Sequence, residues 1–279
     1  MREELGLYHC QFSLDLVDPL LDDTATRAYA EAARTKANDA GLLIHSTFSG
    51  LAAYSGSQLL HPDVSMRDAA MRWYERAIDF TAALGATAGG GYVGAFSVRD
   101  AATAGRKKTL LDELRHRMNA LTLYAGERGL QALLVENMAV PREWGHTIDE
   151  AHELTAMGAP EGVPIVLCLD IGHPCPLRTG TASDDPMAWL HEPWARTPVL
   201  HLQQTDRTGD HHWPFTASRN AAGIVHPEPI LEAIRRWPAD DVYMFLEIIH
   251  PFEATDETVL GDLRSSVQYW QEALARRQG

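Results

Sequence analysis

Four apolar runs in the second half of the chain stop at side chains able to hold a cation or move a proton. LLVEN (133–137) ends in Glu136 and Asn137. VLCLDIGH (166–173) reaches Asp170, with His173 three residues on. VLHLQQTD (199–206) offers His201, Gln203 and Asp206, and VYMFLEIIH (242–250) delivers Glu247 and His250. A lone carboxylate in an apolar mouth is costly. Several are worse, because like charges raise one another's pKa. A divalent cation among them removes the conflict. Two glutamates, one aspartate and one amide or imidazole form a hard, oxygen-rich set that suits Mg2+ or Mn2+ and is unlike a thiolate zinc site. Each residue also has an ordinary explanation. A strand-end glutamate can cap or pair, Asp170 can cap the following turn, and His173 can belong to that turn. His201 shares a strand face with Gln203 and can sit deeper on it. The coincidence on four consecutive runs is what favours a metal site.

Something must bring these four ends together. Seven apolar runs read as strands: 7–16, 42–49, 86–96, 130–137, 164–170, 198–206 and 242–249. Most carry several apolar or β-branched residues in a row, the mark of strands buried on both faces. Helix-period segments alternate with them at 24–40, 65–84, 106–128, 147–157, 227–236 and 256–276. Gly41, Gly85 and Gly129 stand where these helices stop. Ser65 is placed to cap the second helix, Thr147 and Glu150 have capping-box spacing, and Pro227 and Pro229 open the fifth. Strand and helix in alternation mean a parallel sheet wrapped by helices. The fold expected is α/β, a TIM-type (β/α) barrel forming one domain over 1–279. Seven strands are recognisable where a barrel has eight, and MREELG reads as the tail of a helix ending at Gly6. The expectation is therefore a barrel lacking or altered at its first strand, with two strand edges left unpaired. The ends of parallel barrel strands face one mouth, so the four chemical strand ends share it.

Composition narrows the function. The chain of 279 residues is 45% hydrophobic and 22% charged, with a formal net charge of −14. That field repels phosphate backbones and argues against a nucleic-acid partner. No apolar run approaches the roughly 20 residues that span a bilayer, and the N-terminus lacks a secretory layout; no membrane partner and a cytoplasmic location are expected. Three cysteines, Cys10, Cys168 and Cys175, form no CxxC pair and are expected to be reduced. The glycines at 89–91 do not open a helix as a GxGxxG dinucleotide motif does. They can cradle an anion or simply let backbones pack closely.

Taken in order, a Glu at one strand end, D-x-G-H on the next (170–173), H-x-Q-x-x-D on the next (201–206) and L-E on the last (246–247) resemble the xylose-isomerase-like sugar isomerase and epimerase superfamily. The resemblance covers most of the chain from about residue 7. It implies a TIM-type barrel and a divalent cofactor (Mn2+, Mg2+ or Co2+) held by Glu136, Asp170, Gln203 and Glu247, with His201 as the alternative ligand in its stretch. Ketose 3-epimerases use a histidine as the third ligand; the H-x-Q run is similar to the form found in hydroxypyruvate isomerases. His173 matches the family histidine that contacts a substrate oxygen, and His45 matches a histidine often found near the end of an early strand. HLQQTDRTGDHHWPF (201–215) with ENMAVPREWGHT (136–147) resembles a narrower branch, the tetrulose-phosphate epimerases.

The implied reaction is proton transfer beside a carbonyl on a small-molecule sugar or sugar phosphate. A metal-stabilised cis-enediolate forms, one of Glu136 and Glu247 takes the α-proton, and the other returns a proton on the opposite face. Return to the neighbouring carbon gives aldose–ketose isomerisation instead. A phosphate would look to Arg207, His211 and His212 in RTGDHHW (207–213) or to the amides of Gly89–Gly91, and Trp144 and Trp213 could wall the site. Relatives are often dimers or tetramers, so a homo-oligomer is consistent. Two rival readings stand beside this one: an endonuclease IV-like metal-dependent phosphodiesterase, which the net charge opposes, and a non-catalytic sugar-binding relative.

Overall fold

A computed structural model describes residues 1–192, 198–239 and 241–276. All seven expected strands are present: β1 (His9–Ser13), β2 (Leu43–Phe48), β3 (Ala88–Gly91), β4 (Ala132–Glu136), β5 (Ile165–Asp170), β6 (Val199–Leu202) and β7 (Tyr243–Leu246). They form one sheet in sequence order, and every neighbouring pair is parallel. The sheet curls into a nearly closed TIM-type barrel. Among the described residues β1 and β7 share no ladder, and side chains meet across the seam instead. Tyr243 lies with its ring 5.1 Å from that of His9 and 4.2 Å from that of His45.

The strands alternate between two apolar layers. Phe48, Ala88, Leu134, Val166, Cys168 and Val199 fill the barrel interior beneath the site. Their neighbours Leu133, Val135, Leu167, Leu169, Leu200 and Leu202 face outward into a second core formed with the surrounding helices. Full burial of β5, all six residues, follows from having a packed layer on each side.

Ten α-helices are described: α1 (Arg2–Leu5), α2 (Asp23–Asp39), α3 (Val64–Leu84), α4 (Val98–Ala101), α5 (Ala104–Glu127), α6 (Ile148–Thr155), α7 (Pro186–His191), α8 (Ala217–Ala222), α9 (Pro227–Ile234) and α10 (Asp256–Ala275). The six expected helices appear within a few residues of their predicted bounds. α1 ends at Gly6 with φ 67°, as its sequence implied. One cap moves. Asp63, not Ser65, caps α3, accepting from the Ser65 N–H and hydroxyl at 2.8 and 2.7 Å. A carboxylate there also suits the positive helix end. Thr147 caps α6 through the Glu150 N–H at 3.2 Å, while Glu150 turns its own carboxylate to Gly145 and His146. The three cysteines are free, and no described helix is long and apolar enough to cross a membrane.

Gly89–Gly91 serve packing. A Cβ on Gly89 would sit 2.4 Å from Thr47 Oγ1, and one on Gly90 would sit 1.9 Å from the Leu134 carbonyl oxygen. The bare strand lets α3 come close enough for Thr81 to meet Thr47, Oγ1 to Oγ1, at 2.6 Å.

Candidate active site and metal centre

Glu136 and Asp170 are the last residues of β4 and β5, His201 lies in β6, and Gln203 and Glu247 stand just beyond β6 and β7. Parallel strands carry all of them to the same mouth. Glu136, Asp170, His201 and Glu247 each offer a ligand atom, and these atoms lie within 4.8 Å of one another.

His201 is the pivot. Its Nδ1 is 3.1 Å from Glu136 Oε1 and 2.9 Å from Glu247 Oε2, and its Nε2 is 2.6 Å from Gln11 Oε1 on β1. Tyr54, from the turn after β2, donates its hydroxyl to Glu136 Oε2 at 2.5 Å. Asp170 divides its oxygens. Oδ1 accepts from the Gly172 and His173 N–H groups at 2.6 and 2.8 Å, which builds the turn. Asp170 Oδ2 is buried and has no hydrogen-bond partner among the described residues, and Glu247 Oε2, also buried, has only the ion-pair contacts of His201 and His212. Buried carboxylate oxygens are normally satisfied. One orphaned oxygen and one held only by ion pairs, facing a third carboxylate and an imidazole, fit a divalent cation, and the O3N donor set suits Mg2+, Mn2+, Co2+ or Zn2+.

Gln203 is wholly buried beside this group. Its amide N–H2 faces Asp170 Oδ1 at 3.2 Å and Asp210 Oδ1 at 2.7 Å, and its oxygen accepts from the His212 N–H at 2.7 Å. With these partners Gln203 turns its nitrogen toward the carboxylates. His201, the alternative ligand of the H-x-Q stretch, places its Nδ1 among the carboxylates, and Gln203 lies directly beside that group. Gly172 is required because a Cβ there would meet the Gln203 side chain at 2.4 Å.

A second group lies alongside: His173, Asp210 and His212, again with ligand atoms within 4.8 Å. His173 Nδ1 sits 2.5 Å from the Asn137 carbonyl and His212 Nδ1 3.1 Å from that of Glu247. The Nε2 atoms of both reach toward Asp210 Oδ2, at 3.4 and 3.3 Å. Asn137 closes the wall through its side chain, bonding the backbone of Asp170 in both directions.

Charges set the protonation. Burial lifts the Asp170 carboxyl to about 6, with Glu247 adding to the rise and His173 opposing it. Burial also acts upward on Glu247, but His201, His212 and His173 outweigh it and hold that carboxyl down at about 2. For His212 burial works downward, and Asp210 and Glu247 more than offset it, to about 9. Burial would likewise depress His173; Asp170 and Asp210 raise it well above the imidazole range.

Two expected substrate contacts are not gathered into this cluster. His45 stays inside the barrel at the seam, packed on Tyr243 and Phe245 with ring centroids 4.2 and 5.5 Å away, and burial with His9 lowers its pKa to about 4. Arg207 is exposed, and its guanidinium makes no hydrogen bond or ion pair among the described residues. His211 turns away to Asp206 and stacks on Trp213 at 4.1 Å. Trp144 is buried against Phe96 under the Lys107 ammonium. The sequence did not single out Gln11, Tyr54, Glu143 or Asp210. Only Asp210 carried a signal, two residues before His212 in DHHW.

The barrel and its mouth of acidic and imidazole side chains define a class, and comparison with known proteins agrees. Residues 3–271 match the xylose isomerase-like TIM barrel family, and the chain belongs to that family. D-erythrulose 1-phosphate 3-epimerase of Brucella abortus (strain 2308) is 28% identical over 213 residues, covering 75% of this chain and 69% of that protein. A crystal structure from Rhodospirillum rubrum ATCC 11170, provisionally assigned as a xylose isomerase, superposes with a TM-score of 0.90 at 33% identity, covering 98% of this chain and 91% of that one. The structure of an L-ribulose 3-epimerase shares the fold, with a TM-score of 0.69 at 16% identity over 99% of this chain and 88% of that one. The chain is an enzyme of the isomerase and epimerase class.

Proposed function

We propose that the chain is a divalent-metal-dependent ketose-phosphate epimerase that inverts a carbon next to a carbonyl, with a small ketose phosphate of the erythrulose phosphate type as substrate. The observation that carries this reading is the pair Glu136 and Glu247, held on either side of His201 Nδ1 at 3.1 and 2.9 Å. Inversion needs two acid–base groups, one for each face of the reacting carbon. The substrate class rests on the Brucella relative, an erythrulose 1-phosphate 3-epimerase by name.

Glu136, Asp170, His201 and Glu247 would hold the cation, with Gln203 bracing Asp170. When bound, the cation supplies Lewis-acid stabilisation for the oxyanion that appears as the α-proton leaves. Glu247 is ionised at neutral pH and can accept a proton. Tyr54 holds the Glu136 carboxylate in one orientation through Oε2, leaving Oε1 turned to the site. His173, fixed through Nδ1 on the Asn137 carbonyl, presents Nε2 to the mouth, where it would donate to a substrate hydroxyl.

The test is solvent exchange. Mn2+-loaded protein is incubated with D-erythrulose 1-phosphate in D2O and C3 is followed by NMR. Deuterium should enter at C3 with inversion, and Glu136→Gln and Glu247→Gln should each slow it by about 10²–10⁴-fold. An aldehyde product without inversion would move the reading to aldose–ketose isomerisation. No exchange with any ketose or ketose phosphate, despite bound metal, would overturn it.

A further inference from the structure

We propose that Arg178 and Arg207, on the loops that follow β5 and β6, form the subsite for the phosphate of the substrate at the rim of the mouth. This rests on the ketose-phosphate reading above and names the residues that would recognise the phosphate. A phosphate dianion must approach a mouth floored by Glu136, Asp170 and Glu247 in a chain of net charge −14. Cationic donors have to offset that field. Three other candidates are already engaged. Gly89–Gly91 serve packing, His211 pairs with Asp206, and His212 faces Asp210 and Glu247. Arg207 is left, exposed, with a guanidinium that has no hydrogen bond or ion pair among the described residues.

Arg178 joins it through the backbone. A guanidinium has five N–H donors in a planar fork. Nη1 of Arg178 donates to the Cys175 and Leu177 carbonyls at 3.2 and 2.5 Å, and Nη2 donates to the carbonyl of Arg207 itself. Three donors are thus spent on backbone carbonyls. The Nε hydrogen and one on Nη2 have no partner among the described residues, and no carboxylate there pairs with the charge. Asp184, on the same loop, gives its oxygens to Thr179 and Gly180. The fork is held in place before any ligand arrives, which lowers the ordering cost of binding. The loop of Arg207 is doubled back by Thr205, whose hydroxyl donates to the Gly209 carbonyl at 2.7 Å, and then enters the mouth with Asp210 and His212. Burial pushes the neighbouring Cys175 thiol up to about 12, with Asp170 raising it, Arg207 lowering it, Asp210 raising it and His173 lowering it. The field of Arg207 therefore overlaps that of the site. In D-erythrulose 1-phosphate one methylene and one ester oxygen separate the carbonyl carbon from phosphorus. With the carbonyl on the carboxylate floor, the phosphate stands at the rim, where the two strand-end loops meet.

The experiment compares D-erythrulose 1-phosphate with D-erythrulose in Mn2+-loaded protein, following exchange at C3 in D2O. The quantity read is the ratio of kcat/KM for the ester to that for the free sugar. Arg207→Ala should lower this ratio by about 10–100-fold, chiefly through KM for the ester. Arg178→Lys keeps the charge and loses the fork, and should lower it by a similar factor. A merely structural role would slow both substrates alike and leave the ratio unmoved. A second readout needs no turnover. Inorganic phosphate is titrated by calorimetry into protein freed of metal with EDTA, and Arg207→Ala should weaken its binding by about tenfold or more. The proposal is overturned if Arg207→Ala keeps the wild-type ratio, if wild type exchanges ester and free sugar equally well, or if phosphate binds wild type and Arg207→Ala alike. Should Arg178→Lys not fold, Arg207→Ala decides alone. Wild type that exchanges neither sugar overturns the epimerase reading instead, and the phosphate titration still decides the subsite.

Discussion

Asp170 illustrates how a single side chain serves both fold and chemistry. One oxygen takes two backbone N–H groups and makes the turn to His173. The other is left bare. The ordinary explanation for an aspartate at a strand end therefore holds for one half of the carboxylate and leaves the other half for a cation. The strand-end residues were legible because period-2 alternation and parallel pairing force them to one mouth. Gln11, Tyr54 and Glu143 were not, because they enter the site from the first strand and from loops, whose path sequence spacing does not dictate. Glu143 yields a prediction. Burial raises its pKa to about 7 from 4.5, with Glu136 adding to the rise and His173 opposing it. Between these values the native state holds a proton that the unfolded chain has released, so stability falls as pH climbs from 4.5 through 7. Glu143→Gln carries no such group. In urea denaturation at pH 5 and at pH 8, the wild-type midpoint should drop more between the two than the variant's. Equal drops would mean that Glu143 ionises as it does in the unfolded chain.

Among the elements, β3 is the one whose sequence supports two opposite readings. Three consecutive glycines suit an anion cradle or a backbone pressed against its neighbours, and composition does not separate them. The geometry does: Gly90, at φ +152°, has the Leu134 backbone where a Cβ would go, with its O, C and N within 1.9–2.9 Å. Gly90→Ala adds an overpacked methyl and a disfavoured dihedral, so it should cost about 3 kcal/mol or more in chemical denaturation, or prevent folding. Gly105 in α5 is the control. Nothing lies within 4 Å of the place its added methyl would take, so Gly105→Ala should be neutral or should add about 0.5–1 kcal/mol. A Gly90→Ala protein as stable as that control would return β3 to the anion-cradle reading. The long helices were readable from their apolar period and terminal glycines. The short α4, α7 and α8, of four to six residues, were not, because so few turns show no period.

At the scale of the whole molecule, the barrel was legible from the alternation of apolar runs and helices, and its open seam from the count of seven strands. What no count could give is which side chains bridge that seam, since the register of β1 on β2 turns on a bulge. Charge connects this scale to function. The molecule carries a net −14, and the floor of its mouth concentrates Glu136, Asp170 and Glu247 around one imidazole. Such a site is under electrostatic tension that a cation relieves in the folded state and not in the unfolded chain. Binding to the native state alone stabilises by about 2.7 kcal/mol when free metal is 100 times its dissociation constant. For a domain of this size that is a rise in Tm of roughly 5 °C. Differential scanning calorimetry with Mn2+, then with excess EDTA, should show the rise and its reversal. Asp170→Asn sharpens the test, because asparagine keeps an oxygen for the Gly172 and His173 N–H groups while replacing the orphaned Oδ2. The variant should match or exceed the metal-free wild type in Tm, since a buried charge is gone, and should lose the Mn2+ response. A variant that still gains the full shift would place the cation elsewhere, with the group His173, Asp210 and His212 as the next site to test.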